Sequence, residues 1–334
     1  MIRDRLNRPL FDLRLSLIDR CNLRCRYCMP EEVFGPDYAF LPKERLLTPA
    51  ALERAVRAFV SLGVRKVRLT GGEPLLRPEA VDIVARLARV EGLVDLAMTT
   101  NATRLARLAA PLAAAGLRRV NASLDALDPV VFRKMSGGRG HPSRVLEGID
   151  AARAAGLDVK VNTVIRRDLN DSEIEPLADH FRRAGITLRF IEYMDTGNHH
   201  GWDHSLTVPA AEILERIGRL HPLEPLPPSA PGEVARRHRY NGLPVEAGVI
   251  TSITQPFCRD CGRARLSADG RLFTCLFATR GHDLLELLDS RAPVARIAER
   301  IREVWGARED RYSELRASQS EPRDKKVEMS YIGG

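Results

Sequence analysis

From residue 10 to about 220 the chain alternates two kinds of hydrophobic pattern. Short β-prone runs occur at Phe11–Leu17, Val64–Leu69, Val94–Thr99, Arg118–Leu124, Leu157–Ile165 and Ile186–Tyr193. Amphipathic helical stretches lie between them, and their ends are punctuated. Thr48-Pro49 joins an N-cap hydroxyl to a proline at the first helical position, and Gly63 closes that helix. Gly116, Gly156 and Gly185 stand just ahead of later runs, where helix C-caps belong. Such alternation predicts a parallel α/β sheet of six units, open or a partial barrel. The pattern breaks near residue 221. A proline-rich stretch, His221-Pro222 through Pro231-Gly232, reads as a linker. Short β-like pieces follow, then a helical stretch from about Asp283 to Trp305 and a polar tail ending Tyr331-Ile332-Gly333-Gly334. The expected division is 1–220 for the β/α domain and 221–334 for a C-terminal domain.

Parallel α/β folds bind ligands beyond the C-terminal ends of their strands. Those ends are polar here. The second run ends Arg68-Leu69-Thr70-Gly71-Gly72-Glu73-Pro74, the third Thr99-Thr100-Asn101 and the fourth Asn121-Ala122-Ser123-Leu124-Asp125. The fifth places Lys160 and Asn162 on one face by two-residue alternation, and the sixth ends Glu192-Tyr193-Met194-Asp195. One shared cavity is expected at that end of the sheet.

The 334 residues are 44% hydrophobic and 29% charged, the proportions of a globular chain rather than a disordered or fibrous one. No apolar run approaches the ~20 residues of a membrane span. The start, Met1-Ile2-Arg3-Asp4-Arg5, lacks the apolar core of a signal peptide, so a cytoplasmic protein is expected. The net charge of +8 suits a polyanionic ligand as well as a solvated basic surface. Nucleic acid is not expected. The densest basic stretch is Arg236-Arg237-His238-Arg239, and at 5% aromatic content few stacking platforms exist.

Six cysteines fall into two triplets, Cys21, Cys25, Cys28 and Cys258, Cys261, Cys275. In a cytoplasmic chain this argues for metal rather than disulfides. Zinc is one reading, with His282 as a fourth ligand for the second triplet. Three thiolates in one short loop instead suit three irons of a 4Fe–4S cube, which leaves the fourth iron open. Arg263 and Arg265, two apart beside the second triplet, would share one face of an extended segment and fit phosphate oxygens. Gly137-Gly138-x-Gly140 lacks the Gly-Lys-Ser/Thr of a P-loop. His199, His200 and His204 read as a polar loop and receive no role.

The stretch Arg14-Leu15-Ser16-Leu17-Ile18-Asp19-Arg20-Cys21-Asn22-Leu23-Arg24-Cys25-Arg26-Tyr27-Cys28-Met29-Pro30 resembles the cluster loop of radical S-adenosylmethionine (SAM) enzymes. Gly71-Gly72-Glu73-Pro74 resembles that superfamily's glycine motif, which holds the methionine amino group. The resemblance implies that Tyr27, Gly72, Ser123 and Met194 contact SAM. Both triplets and the terminal Gly-Gly together resemble the GTP 3′,8-cyclase family of molybdenum-cofactor biosynthesis, over nearly the whole chain. That resemblance implies an incomplete six-unit β/α (partial TIM) barrel with a C-terminal iron–sulfur domain. It implies two 4Fe–4S clusters, and GTP held by Arg14, Arg68, Thr99, Lys160, Arg263, Ala264 and Arg265, with Ala264 acting only through its backbone or apolar contact. It also implies a lyase reaction that forms 3′,8-cyclo-7,8-dihydroguanosine 5′-triphosphate, a one-electron reductase as donor, and cyclic pyranopterin monophosphate synthase as acceptor of the product. A radical SAM peptide maturase and a zinc-dependent nucleic-acid-binding protein are the alternatives. Two positions depart from the family pattern: Gly262, where asparagine is expected, and Ile18, where threonine is common. The oligomeric state stays open, a homodimer included. The β-prone segment before Gly333-Gly334 predicts that the tail inserts near the substrate, with Arg323 as the catalytic arginine it arranges.

Overall fold

The computed structural model describes residues 1–199, 201–229, 232–290, 292–316 and 325–334. The six expected runs form strands β1 (Asp12–Ser16), β2 (Lys66–Thr70), β3 (Asp95–Thr100), β4 (Arg119–Ser123), β5 (Asp158–Ile165) and β6 (Thr187–Glu192). Helices α1 (Pro49–Ser61), α2 (Ala80–Leu87), α3 (Leu105–Ala114), α4 (Pro129–Met135), α5 (Pro142–Ala154), α6 (Ile174–Ala184) and α7 (Ala210–Leu220) lie between or after them. Thr48 caps α1, its side chain accepting from Ala51 N at 3.2 Å. The C-terminal part supplies β7 (Leu223–Leu226), β8 (Ala235–Tyr240), β9 (Glu246–Ile250), β10 (Arg263–Leu266), β11 (Arg271–Phe273) and β12 (His282–Asp283). Helices α8 (Leu285–Asp289), α9 (Val294–Gly306), α10 (Tyr312–Leu315) and α11 (Met329–Ile332) complete the chain.

All twelve strands form one sheet in the order β12-β11-β10-β1-β2-β3-β4-β5-β6-β9-β8-β7. β10 runs parallel to β1, and β9 runs parallel to β6. The six-unit sheet is therefore flanked on each side by a parallel strand from the C-terminal part. Among the described residues its two ends do not pair with each other, so the barrel is incomplete. Period-two alternation sorts the side chains. Leu13, Leu15, Val67, Leu69, Met98, Val120, Val161 and Phe190 are buried in the core shared with the helices. Their strand neighbours face the opposite side, the lumen.

Two expectations on the C-terminal part change. Residues 223–226, read as linker, form strand β7, antiparallel to β8. Pro225 fits there because β7 is the edge strand, where a missing backbone donor breaks no ladder. The helical stretch from Asp283 to Trp305 is two helices, α8 and α9, with Pro293 as the N-cap of the second. A proline ring cannot continue a preceding helix but suits the start of the next. Among the described residues no helix is long and apolar enough to cross a membrane.

Candidate functional site

The first cysteine loop leaves the C-terminal end of β1 and crosses the mouth of the barrel. Two glycines let it come close. A Cβ on Gly71, which has φ +137°, would lie 2.2 Å from Ile18 O, and one on Gly72 would lie 2.2 Å from Arg20 O. Gly72 N and Glu73 N donate to those carbonyls at 2.7 and 2.8 Å. Buried Glu73 accepts from Leu75 N, from Thr100 Oγ1 at 2.6 Å and from Asn101 N at 2.7 Å. Asn101 Nδ2 in turn donates to Asn22 Oδ1 at 2.9 Å and to Cys21 Sγ at 3.6 Å. The Gly-Gly-Glu-Pro turn is thus wired to the cysteine loop through one buried carboxylate. Gly137 supports the loop from the other side: its Cβ would lie 2.2 Å from Arg24 O.

Burial, then the Glu73 carboxylate, pushes the Cys21 thiol up to about 11. Burial, then Asp125 and the two sister thiols, pushes Cys25 well above its usual range. Burial, then Cys21, raises Cys28. Three thiolates that repel one another at the same place need a shared cation, and an iron cube is one. Leu23 N also donates to Cys21 Sγ at 3.4 Å, so the residues fit a sulfur-ligated cluster. Tyr27 OH donates to Asp125 Oδ2 at 2.9 Å, and burial pushes the Asp125 carboxyl up to about 6. Gly72, Tyr27, Ser123 and Met194 are all partly accessible around this mouth.

Across the lumen, strand register builds a band of charge. Arg265, Arg14 and Arg68 stand side by side on β10, β1 and β2. Arg263, Asp12, Lys66 and Asp95 form the row nearer the strand starts. Arg119 follows through Ala97, Thr99 pairs with Asn121 and Asn121 with Lys160, and Arg189 pairs with Asn162. The usual barrel interior is filled with branched apolar side chains; this one is lined with cations. Burial, then mutual repulsion, lowers the affinity of Arg68 for its proton, and burial brings Arg265 down to about 9. The fields reach across the lumen, since Arg189 on β6 disfavours the charge of Arg68 on β2 and Arg14 on β1 disfavours that of Arg189. With its amide turned to accept, Asn121 Oδ1 takes Arg68 Nε at 3.2 Å and Nη1 at 2.9 Å. Thr99 Oγ1 and Asn162 Oδ1 are buried without a hydrogen bond. A band of cations, with Arg14, Arg68 and Arg265 buried and Lys66, Arg119, Lys160, Arg189 and Arg263 half-buried, together with spare polar atoms suits an anion.

The second triplet lies at the far end of that band. Cys258 and Cys261 precede β10, so they sit beside the N-terminal ends of the barrel strands. Cys275 follows β11, which runs back antiparallel to β10 and returns it to the same end. Phe277 N donates to Cys275 Sγ at 3.5 Å and Arg263 Nη2 to Cys261 Sγ at 3.4 Å. Burial pushes the Cys261 thiol up, but Arg263 and Arg308 outweigh it and bring it down to about 6. These donors suit a second sulfur-ligated cluster. A Cβ at Gly262 would lie 2.5 Å from Pro9 O, which accounts for glycine at this position. His282 is exposed on β12, paired opposite Leu272.

The structure thus brings together Arg14, Arg68, Thr99, Lys160, Arg263 and Arg265. Ala264 alternates to the apolar face, paired with Leu13 and wholly buried, so only its backbone is left for a ligand. Sequence reasoning missed Lys66, Arg119 and Arg189. Lys66 stands two residues before Arg68, and that period-two signal could have found it. Arg119, two residues before Asn121, carried the same signal, whereas Arg189 carried none until the register was known. The tail crosses the mouth. Lys326 Nζ and Tyr312 OH donate to Asp195 Oδ2 at 2.8 and 2.6 Å, and Tyr331 OH donates to Asp269 Oδ1 at 2.6 Å. Arg265 Nη1 donates to Gly333 O. His199 pairs with Glu328 of the tail, whereas Arg323 and His200 lie outside the described residues.

Comparison with known proteins agrees with this layout. The family model of the Radical SAM superfamily matches residues 15–181, and that of Molybdenum Cofactor Synthesis C matches residues 186–314. The chain is 53% identical to the GTP 3′,8-cyclase of Acidothermus cellulolyticus, over all of this chain and 99% of that one. It is 51% identical to the GTP 3′,8-cyclase of Xanthomonas axonopodis pv. citri and 44% identical to that of Staphylococcus aureus, each over all of this chain and 99% of the other. Among solved structures, Streptococcus suis SuiB bound to S-adenosylmethionine superposes with a TM-score of 0.59 at 15% identity, over 88% of this chain and 68% of that one, a likeness of fold.

Proposed function

The chain belongs to the radical SAM superfamily and, within it, to the GTP 3′,8-cyclases, and on that premise we propose that its lumen holds GTP between two cysteine triplets. The protein is a lyase that converts GTP to (8S)-3′,8-cyclo-7,8-dihydroguanosine 5′-triphosphate, the first step of molybdopterin synthesis. It uses SAM and a 4Fe–4S cluster, which together supply a 5′-deoxyadenosyl radical to take the hydrogen from ribose C3′. The C3′ radical would close onto guanine C8, and the aminyl radical left on the base would take up one electron and one proton to give the 7,8-dihydro product. What remains for the chain is placement, charge neutralisation and exclusion of water.

In our assignment Cys21, Cys25 and Cys28 hold that cluster, and Tyr27, Gly72, Ser123 and Met194 hold SAM. Arg14, Arg68, Lys160, Arg263 and Arg265, joined by Lys66, Arg119 and Arg189, receive the triphosphate, with Thr99 and the backbone of Ala264 beside them. Cys258, Cys261 and Cys275 hold a second 4Fe–4S cluster facing the guanine. Residues 1–220 supply the radical site, and residues 221–334 supply the second cluster and the Gly-Gly tail. Arg323 is proposed to act from that tail. A one-electron reductase feeds the first cluster, the product passes to cyclic pyranopterin monophosphate synthase, and the setting is the cytoplasm. A homodimer is the assembly we would test first. The observation that carries this reading is the band of buried and half-buried cations along the lumen between the two triplets. The alternative readings are not favoured: a peptide substrate does not call for a cationic lumen, and the full-length relatives at 53% and 44% identity are GTP 3′,8-cyclases.

The test is anaerobic incubation of reconstituted protein with GTP, SAM and dithionite, with the nucleotide product identified by mass and NMR. Formation of 5′-deoxyadenosine without a cyclised nucleotide would overturn the substrate assignment.

A further inference from the structure

Outside the lumen, three buried charged side chains surround the second cysteine loop and serve neither anion nor SAM in the assignment above. Asp4, Arg8 and Arg308 have side chains exposed by 0%, 2% and 1%. Asp4 Oδ2 accepts from Arg8 Nε at 2.6 Å and from Arg308 Nη1 at 3.2 Å, while its Oδ1 accepts from Arg8 N at 2.8 Å. Each guanidinium then reaches a cysteine carbonyl. Arg8 Nη1 donates to Cys258 O at 2.9 Å and to Asp310 O at 2.7 Å. Arg308 Nη1 donates to Cys261 O at 2.6 Å. Trp305 of α9 locks the group: its ring lies 4.5 Å from the Arg308 guanidinium, and its Nε1 donates to Arg8 O at 3.3 Å. Phe11 N and Asp12 N both donate to Gly262 O. The N-terminal residues of the chain therefore grip a loop some 250 residues away.

The charges do not balance. Two guanidiniums share one fully buried carboxylate, and Asp310, the other acid on Arg308, is partly exposed at 3.3 Å. An uncompensated buried cation is costly unless an anion faces it. The loop it grips carries two of the three cysteines, Cys258 and Cys261, and three thiolates on a cube are net negative, more so when reduced. Resting on the second-cluster reading above, we propose that Asp4, Arg8 and Arg308 form a clasp that shapes the Cys258–Cys261 loop for its cluster and sets a positive charge behind it. The clasp retains the cluster and favours its reduced state. Arg8 and Arg308 are positioning residues, since they touch the ligand loop and not the substrate.

The test uses the full-length chain carrying Cys25→Ala, so that only the second triplet holds a cluster. This parent should carry about four irons. Arg308→Gln keeps hydrogen-bond donors but removes the charge. It should shift the midpoint potential, read by EPR-monitored titration, to more negative values and speed iron release to a chelator several-fold. Arg308→Lys keeps the charge and loses the fork, so the potential should stay near the parent's while iron release still quickens. A scaffold role alone would not separate the two readouts. An unchanged potential and release rate in Arg308→Gln would overturn the proposal, and if that variant does not fold, a parent-like release rate in Arg308→Lys does so. A Cys25→Ala parent without iron would instead remove the second cluster, and the clasp with it.

Discussion

Lys66 shows at the scale of one residue how the lumen is tuned. It stands between Asp12 and Asp95, 3.7 and 3.9 Å from their carboxylates, among Arg68, Arg14 and Arg119. Burial, offset by Asp12 but reinforced by the three arginines, brings its ammonium down to about 8. An anion binds the charged form and raises its proton affinity in the complex. Affinity for GTP should therefore be full below pH 8 and decline as pH rises through that value. Calorimetry between about pH 7 and 9 should show the decline, and Lys66→Arg, which stays charged, should flatten it. An identical slope in both proteins would take Lys66 out of the site. Lys160 tests the same band differently. Its charge is disfavoured by burial and by Arg189. Lys160→Met should leave the ligand-free protein at least as thermostable as the parent, yet weaken GTP about tenfold or more, since hydrogen bonds to charged groups contribute about 1.5–3 kcal/mol. Unchanged affinity would mark Lys160 as scaffold.

At the scale of elements, the loops after β1 and β2 frame the proposed first cluster site, and they pack so closely that Gly71 and Gly72 leave no room for a side chain. Gly72→Ala would drive a Cβ into the Arg20 carbonyl. It should displace the cysteine loop and roughly halve the iron content while the far-UV spectrum stays native. Full iron with normal SAM binding would show that the loop can yield. The tail is equally tight. Gly333 has φ +79°, and its Cβ would lie 2.3 Å from Thr70 Cγ2. Gly333→Val is disfavoured both by backbone and by space. It should leave both clusters in place and suppress cyclisation, measured as product per 5′-deoxyadenosine. A parent-like ratio would reduce the tail to a passive terminus. Elements were legible where the pattern was long. The six strands match their runs closely, because each buries one apolar face and turns a polar one to the lumen. The division between α8 and α9 was missed because the amphipathic pattern carries on across Pro293, and β7 was missed because proline looks like a linker until its edge position is known.

At the scale of the whole molecule, the two triplets should be separable. Reconstituted protein should carry about eight irons; Cys25→Ala should lose half and all SAM cleavage, while Cys261→Ala should lose half and keep uncoupled cleavage. Retention of full iron by either variant would contradict the assignment of its triplet. By itself the sequence determined the cysteine spacings, the glycine turn and the alternating pattern. These are local features: a thiolate triplet needs only a short loop, and a strand face needs only every second residue. Only the tertiary structure decided which cations meet. Parallel register sets Arg265 beside Arg14 and Arg68, and the curvature of the sheet brings Arg189 within the field of Arg68. It also decided that Asp4 and Arg8 reach the second cysteine loop. Pairings between residues far apart in the chain leave no periodic trace in it, because their cause is the packing of whole elements rather than the run of neighbours.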